Sequence, residues 1–214
     1  MSGKFFDIDG PLVQGVNSII DLVVLNLLTV LCCIPVVTAG ASIAAMNSVA
    51  LKIVRNEECY IGRMFFKAFR ENLKIGILST IVIILLIALG MADFYAIGVL
   101  DVWFASVARV LLCVFAILFI MTLTFLFPVM AKFEAGVTNT FKNAFKFSVS
   151  HILYTIGMFA INIIPWVIVY FVNVLAPLLF IIGLSFPAVL DARIYNESFK
   201  KIEESYHAGK PVQP

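Results

Sequence analysis

Residues 152–190 read ILYTIGMFAINIIPWVIVYFVNVLAPLLFIIGLSFPAVL, 39 residues without one charge. As a single helix this run measures about 58 Å, nearly twice the roughly 30 Å hydrocarbon core of a bilayer. It is therefore read as two passes, 152–172 and 174–190, joined by a tight turn where Asn173 and Pro177 supply the polar and ring-constrained signals. Pro165 then kinks the first of them, which a membrane helix tolerates.

The rest of the chain repeats the pattern. Residues 16–37 carry Asp21 as their only charge, 75–92 carry none, and 102–130 carry only Arg109. Each is long enough to span. With 62% hydrophobic and 13% charged residues, and a mean hydropathy of +1.06, a soluble domain has no way to cover its apolar surface, and a disordered chain has the opposite composition. The expected fold class is all-α: a polytopic membrane helix bundle of about five transmembrane helices with amphipathic cytoplasmic helices. The segment before residue 16 lacks the order of a cleaved signal peptide, so the first run is expected to remain in the mature protein. A net charge of +2 gives no reason to expect nucleic-acid binding.

Orientation follows from the fifteen Lys and Arg. Apart from Lys4 and Arg109 they fall in three places: Lys52 to Lys74, Lys132 to Lys146, and Arg193 to Lys210. The positive-inside rule puts these on the cytoplasmic side, with the amino terminus outside and the carboxyl terminus inside. The alternative takes Ile34-Pro35 as a break, so that Gly40 to Val54 re-enters the membrane or the amino terminus turns inward.

Three spans end alike, at Ile34-Pro35-Val36-Val37, Phe127-Pro128-Val129-Met130 and Phe186-Pro187-Ala188-Val189, and each ending is followed by a Phe-Lys step, at Phe66-Lys67, Phe141-Lys142 and Phe199-Lys200. This reads as one module, used up to three times: a span, a proline break at the cytoplasmic boundary, an amphipathic basic helix, and a span back. In the first copy Arg63, Lys67, Arg70 and Lys74 recur at intervals of four, three and four, beside a stripe of Phe66, Phe69 and Leu73. That periodicity places the four cations on one edge of a helix lying in the membrane interface. There they either meet anionic headgroups, at about 1 kcal/mol each, or dock a partner. Lys142 and Lys146 with Phe141 and Phe145 repeat the design more weakly.

Templates for chemistry are missing: no H-E-x-x-H, G-x-S-x-G, P-loop or G-x-G-x-x-G occurs, and His151 and His207 have no carboxylate or cysteine at metal spacing. Cys32, Cys33, Cys59 and Cys113 form no C-x-x-C pair. The chain is expected to be non-enzymatic, without catalytic, cofactor or metal residues. Asp21, Asn26 and Arg109 are the candidate intramembrane polar residues, because polar groups at membrane depth are costly. Counted outward from the prolines, Asp21 and Arg109 both fall toward the outer leaflet, where they either pair between the first and third spans or leave Arg109 to snorkel. Asn17, Asn26, Asn162 and Asn173 are expected to hydrogen-bond between helices. Gly40, Ala41, Ser42, Ala44 and Ala45 are expected to let another backbone approach closely.

Asp9-Gly10-Pro11, Asn26-Leu27-Leu28, the run Ile34 to Ala41, Lys52-Ile53-Val54-Arg55-Asn56-Glu57-Glu58, and Phe65 to Lys74 together resemble the YesL family of small bacterial integral membrane proteins, a domain of unknown function. The resemblance implies a helical protein of about this length in the cytoplasmic membrane of a bacterium. Genes of that family often lie beside sugar ABC importers and polysaccharide-degradation genes, which implies an accessory role in carbohydrate uptake, with the bilayer and an ABC importer or another membrane complex as partners. It carries no ligand residues. A small transporter or channel, with a polar site between spans one and three, is the other function this sequence allows.

Overall fold

A computed structural model describes residues 11–57, 60–99, 105–133, 136–171 and 182–207. Among them seven α-helices and no strand occur: α1 (Pro11–Cys33), α2 (Ala39–Val54), α3 (Ile61–Val99), α4 (Ala105–Lys132), α5 (Val137–Ser150), α6 (Ile152–Phe171) and α7 (Ser185–His207). The protein is an all-helical membrane bundle. By length and apolarity Val36–Val54, Ile61–Ile97 and Val107–Lys132 are able to cross a bilayer, and α5 with α6 forms a fourth candidate bent by 101°. Residues 174–181 of the expected span 174–190 lie outside the described residues, and 185–190 form the start of α7.

The spine is α3, 39 residues without a break, about 58 Å long. Its first half carries α2 and α1; its second half carries α4. Gly76 and Gly40 make the first junction. A Cβ on Gly76 would stand 2.5 Å from the Ala41 nitrogen, and one on Gly40 would strike the Thr80 hydroxyl and the Gly76 carbonyl. The Gly40 N–H donates to Thr80 Oγ1 at 3.0 Å, and that hydroxyl donates to the Gly76 carbonyl at 2.8 Å. Small residues thus replace side-chain volume with backbone contact, as is usual where membrane helices meet. The expected close approach at Gly40 to Ala45 is there, with Gly40, Ala41, Ser42, Ala44 and Ala45 all buried.

The placement of α1 overturns one expectation. Asp21 lines a cleft with Ile61, Gly62 and Arg63 at the start of α3, Ser42 Oγ donates to the Thr29 carbonyl at 2.9 Å, and Gly40 meets Thr80. So α1 runs alongside the basic half of α3 in the same direction, turns at Pro35, and α2 returns antiparallel. Pro35 lies near the level of Thr80, about 26 Å along α3 from Arg63, and not at the basic boundary where it was expected. The turn is closed by Thr38. Pro35 has no N–H, and Thr38 Oγ1 donates to the Cys32 carbonyl at 2.7 Å and the Pro35 carbonyl at 2.8 Å, satisfying carbonyls the helix end leaves open.

The return of α2 ends in a Schellman cap. Glu57 N–H bonds the Lys52 carbonyl and Asn56 N–H the Ile53 carbonyl, each at 3.1 Å, with Asn56 at φ 53°, a left-handed position asparagine tolerates. That cap fixes Arg55, whose Nε donates to Asn196 Oδ1 in α7 at 2.8 Å.

The three similar proline endings sit in different settings: Pro35 between helices, Pro128 inside α4, and Pro187 in the first turn of α7. Helix α4 continues past Pro128 to Lys132, and the sharp bend between α5 and α6 comes at His151. There Thr155 Oγ1 donates to the Ser148 carbonyl at 2.9 Å and the His151 carbonyl at 3.1 Å. The core gathers around α2: Leu25, Ala45, Met46, Val49, Phe65, Phe125, Leu126, Val129, Met158, Ala192 and Tyr195 are among its buried members.

Candidate functional site

Arg63, Lys67, Arg70 and Lys74 are all exposed on one face of α3. The opposite face, Ile61, Phe65, Ala68 and Gly76, is buried. One part of the expectation changes. The stripe does not lie on a separate interfacial helix, because α3 continues from it without interruption into the apolar segment 75–92, and a helix that crosses the bilayer holds its extension off the membrane plane. Charge here marks only where a helix leaves apolar surroundings, not where it ends. The weaker copy lies on a separate helix: α5 stands at 101° to α6, with Lys142, Phe145 and Lys146 exposed and Thr140, Ala144 and Ser148 buried.

Of the two alternatives for Asp21 and Arg109, the structure does not bring the two residues together to pair. Arg109 Nη2 donates to the Ile97 carbonyl at 3.4 Å, at the far end of α3, whereas Asp21 shares its cleft, about 750 Å³ and lined also by Tyr60 and Val24, with Arg63. Arg63 and Ile97 are about 51 Å apart along the helix axis. Counting back from Pro35 leads toward the basic end of α3 and counting back from Pro128 leads away from it, because α1 runs parallel to α3 while α4, with Met130 beside Ser79 and Arg109 beside Ile97, runs antiparallel to it. A polar site between α1 and α4 therefore has no support from these two residues. Between the second half of α3 and α4 lies an open cavity of about 1130 Å³ lined by apolar side chains such as Leu86, Phe94, Phe115 and Ile120. The outer faces there, Ile84, Leu85 and Leu89 on α3 and Val110 and Ile117 on α4, are exposed and apolar, a surface fit for lipid contact.

Asn26 is completely buried. Its Oδ1 accepts from the backbone N–H groups of Leu184 at 2.9 Å and Ser185 at 3.2 Å, and Ser185 Oγ donates to the Leu22 carbonyl at 2.8 Å. An asparagine of α1 thus caps α7 from outside its own chain segment, the inter-helical role expected of it. Asn162 also bridges helices, from α6 to α7; the side chain of Asn17 and all of Asn173 lie outside the described residues. Replacing Asn26 by leucine keeps the volume and strands two buried donors, at about 1–3 kcal/mol each. The thermal midpoint in detergent is expected to fall sharply, while Asn26→Asp, which still accepts, loses less; equal loss in both would refute the cap.

One cluster was not legible as such. Asp191 reads in the sequence as the first charge beyond an uncharged span, yet it is buried, and Asn162 Nδ2 donates to its Oδ2. One turn on, the buried Tyr195 hydroxyl donates to the Asn47 carbonyl at 3.2 Å. The signal was the spacing of Ala188, Asp191, Ala192 and Tyr195, an i, i+3, i+4, i+7 stripe with an acid inside it. Among the described residues no three His, Cys, Asp or Glu side chains group as metal ligands. Cys32 and Cys33 are half-buried free thiols, and Cys113 is exposed.

The family described as "Protein of unknown function, DUF624" matches residues 22–94. No curated protein and no solved structure matches the chain.

Proposed function

We propose that this chain is a non-enzymatic accessory protein of a bacterial cytoplasmic membrane that docks to another membrane complex through the basic face of α3. The observation that carries the reading is the exposure of Arg63, Lys67, Arg70 and Lys74 together, on a helix whose other face is locked to α2 by Gly76 and Gly40. A fixed row of cations on a rigid stem presents charge in register, which suits an acidic protein surface better than mobile headgroups. The partner class, an ABC importer for carbohydrate, comes from the YesL resemblance, with which the DUF624 match over residues 22–94 is compatible.

The test is purification from native membranes in mild detergent. Reversing all four charges to glutamate is expected to abolish co-elution of the partner while leaving the protein folded, since the side chains are exposed. Single Arg-to-Lys exchanges are expected to act unevenly, because guanidinium and ammonium groups differ in geometry. If all-Lys and all-Arg versions co-elute identically and only total charge matters, the stripe is a lipid anchor and the docking reading is wrong.

A further inference from the structure

Asp191 is 6% exposed. Its Oδ2 accepts from Asn162, whose Nδ2 also donates to the Met158 carbonyl at 2.9 Å, and its Oδ1 is buried without a hydrogen-bond partner. The neighbouring elements bring little to balance a charge there. Helix α6 contains no Asp, Glu, Lys or Arg between Ile152 and Phe171. The one charge of α1, Asp21, faces the cleft beside Arg63. On α7 itself Tyr195 stands one turn away, in electrostatic reach of both Asp191 and Arg55. Arg55, beyond the end of α2, is engaged by Asn196. A carboxylate with one oxygen buried and unbonded is among the least favourable groups a protein interior holds, and the usual remedy is to take up a proton.

We propose that Asp191 is a proton-binding site at the junction of α6 and α7, filled in the folded protein in acid solution and emptied as the pH rises through neutrality. A solvent proton adds to a carboxylate oxygen, forming an O–H bond and removing the charge, while Oδ2 keeps the Asn162 amide. Losing that proton leaves a negative charge facing the α6 interface, so proton release opposes the packing of α7 on α6. Burial pushes this carboxyl up to about 7, against the opposing effect of the Asn162 hydrogen bond; α7 is not one of the candidate spans. The folded state holds the proton more tightly than the unfolded chain, so this group's contribution is best below the unfolded value of 3.8. It declines as pH rises toward about 7, and is level beyond.

The experiment compares the full chain with Asp191→Asn, a near-isosteric stand-in for the neutral acid, by thermal unfolding in detergent across that pH range and by infrared spectroscopy at pH one unit below neutrality. The expected result is a midpoint difference that grows in favour of Asn as pH rises through the window and then stays constant. A protonated-carboxyl band present in the native chain is also expected to disappear from the variant. A pH-independent difference, or a band that persists unchanged in Asp191→Asn, overturns the proposal. If that variant does not fold, carboxyl-labelled aspartate in the unmutated chain gives the answer: no protonated aspartyl band under these conditions overturns the site, and a band that survives in Asp21→Asn supports it. None of these readouts depends on a docking partner.

Discussion

Replacing Gly76 by leucine will leave little folded protein, whereas the same change at Gly90 of the same helix will be tolerated. The contrast isolates the α2–α3 contact. Even the first carbon of a side chain at position 76 would stand 2.5 Å from the Ala41 nitrogen, 2.6 Å from its Cα and 2.7 Å from its Cβ. Two of these are backbone atoms, which cannot swing aside as a flexible side chain does. Overpacking a core costs about 1–3 kcal/mol and more where the neighbour is rigid, out of a typical total near 5–15 kcal/mol. The helix cannot slide away either, because Phe65 and Ala68 on the same face are buried against the core cluster. At Gly90 nothing lies within 4 Å of an added carbon, and alanine there gains up to about 1 kcal/mol of helix propensity. Monodisperse yield and thermal midpoint of the two leucine variants are the measurement. Equal behaviour would mean that α2 and α3 do not meet as described.

That junction was partly legible. Gly40, Ala41, Ser42, Ala44 and Ala45 announce that some backbone comes close, because small residues serve that purpose among apolar helices. They do not say which backbone, and Gly76 sits in a stretch that reads simply as the start of a span. The basic stripe was legible for a stronger reason: its spacing of four, three and four is a property of one helix, and needs no knowledge of the rest of the fold.

What failed was the conversion of sequence distance into depth for Asp21, which lies at the Arg63 end of α3, whereas Arg109 lies at the far end beside Ile97. The step from Lys74 to Ile75 changes the solvent a helix prefers and Gly76 follows it as a residue that often ends helices, yet α3 runs straight through both. Pro35 and Pro128 look alike in their tetrapeptides, yet one ends a helix and the other lies within α4. The residues after each proline make the difference. Thr38 is placed to close a turn onto the Cys32 carbonyl; Val129 and Met130, next after Pro128, are buried in α4. Asp191 is harder to read, because one charge beside a long apolar run is ordinarily the boundary of that run; its stripe with Ala188, Ala192 and Tyr195 hints at an interior place, and packing against Asn162 establishes it.

The same geometry makes sidedness decisive. With Cys32, Cys33, Cys59 and Cys113 replaced, single cysteines at Asp21, Lys67 and Tyr95 are to be probed with a membrane-impermeant maleimide on intact cells. Lys67 and Tyr95 flank the apolar stretch 75–92 of α3, so one continuous helix places them on opposite sides of the bilayer. The positive-inside rule leads us to expect the basic side in the cytoplasm. Asp21 lines a cleft with Ile61, Gly62 and Arg63, so it belongs with Lys67. The expected outcome is all or none: Tyr95→Cys reacts from outside, while Lys67→Cys and Asp21→Cys react only after the membrane is permeabilised. Had α1 crossed as an isolated span from outside to inside, Asp21→Cys would react together with Tyr95→Cys. That pattern would dismantle the α1–α2 hairpin, since Ser42 meets Thr29 and Gly40 meets Thr80 only if the chain enters and leaves this region from the end marked by Arg63.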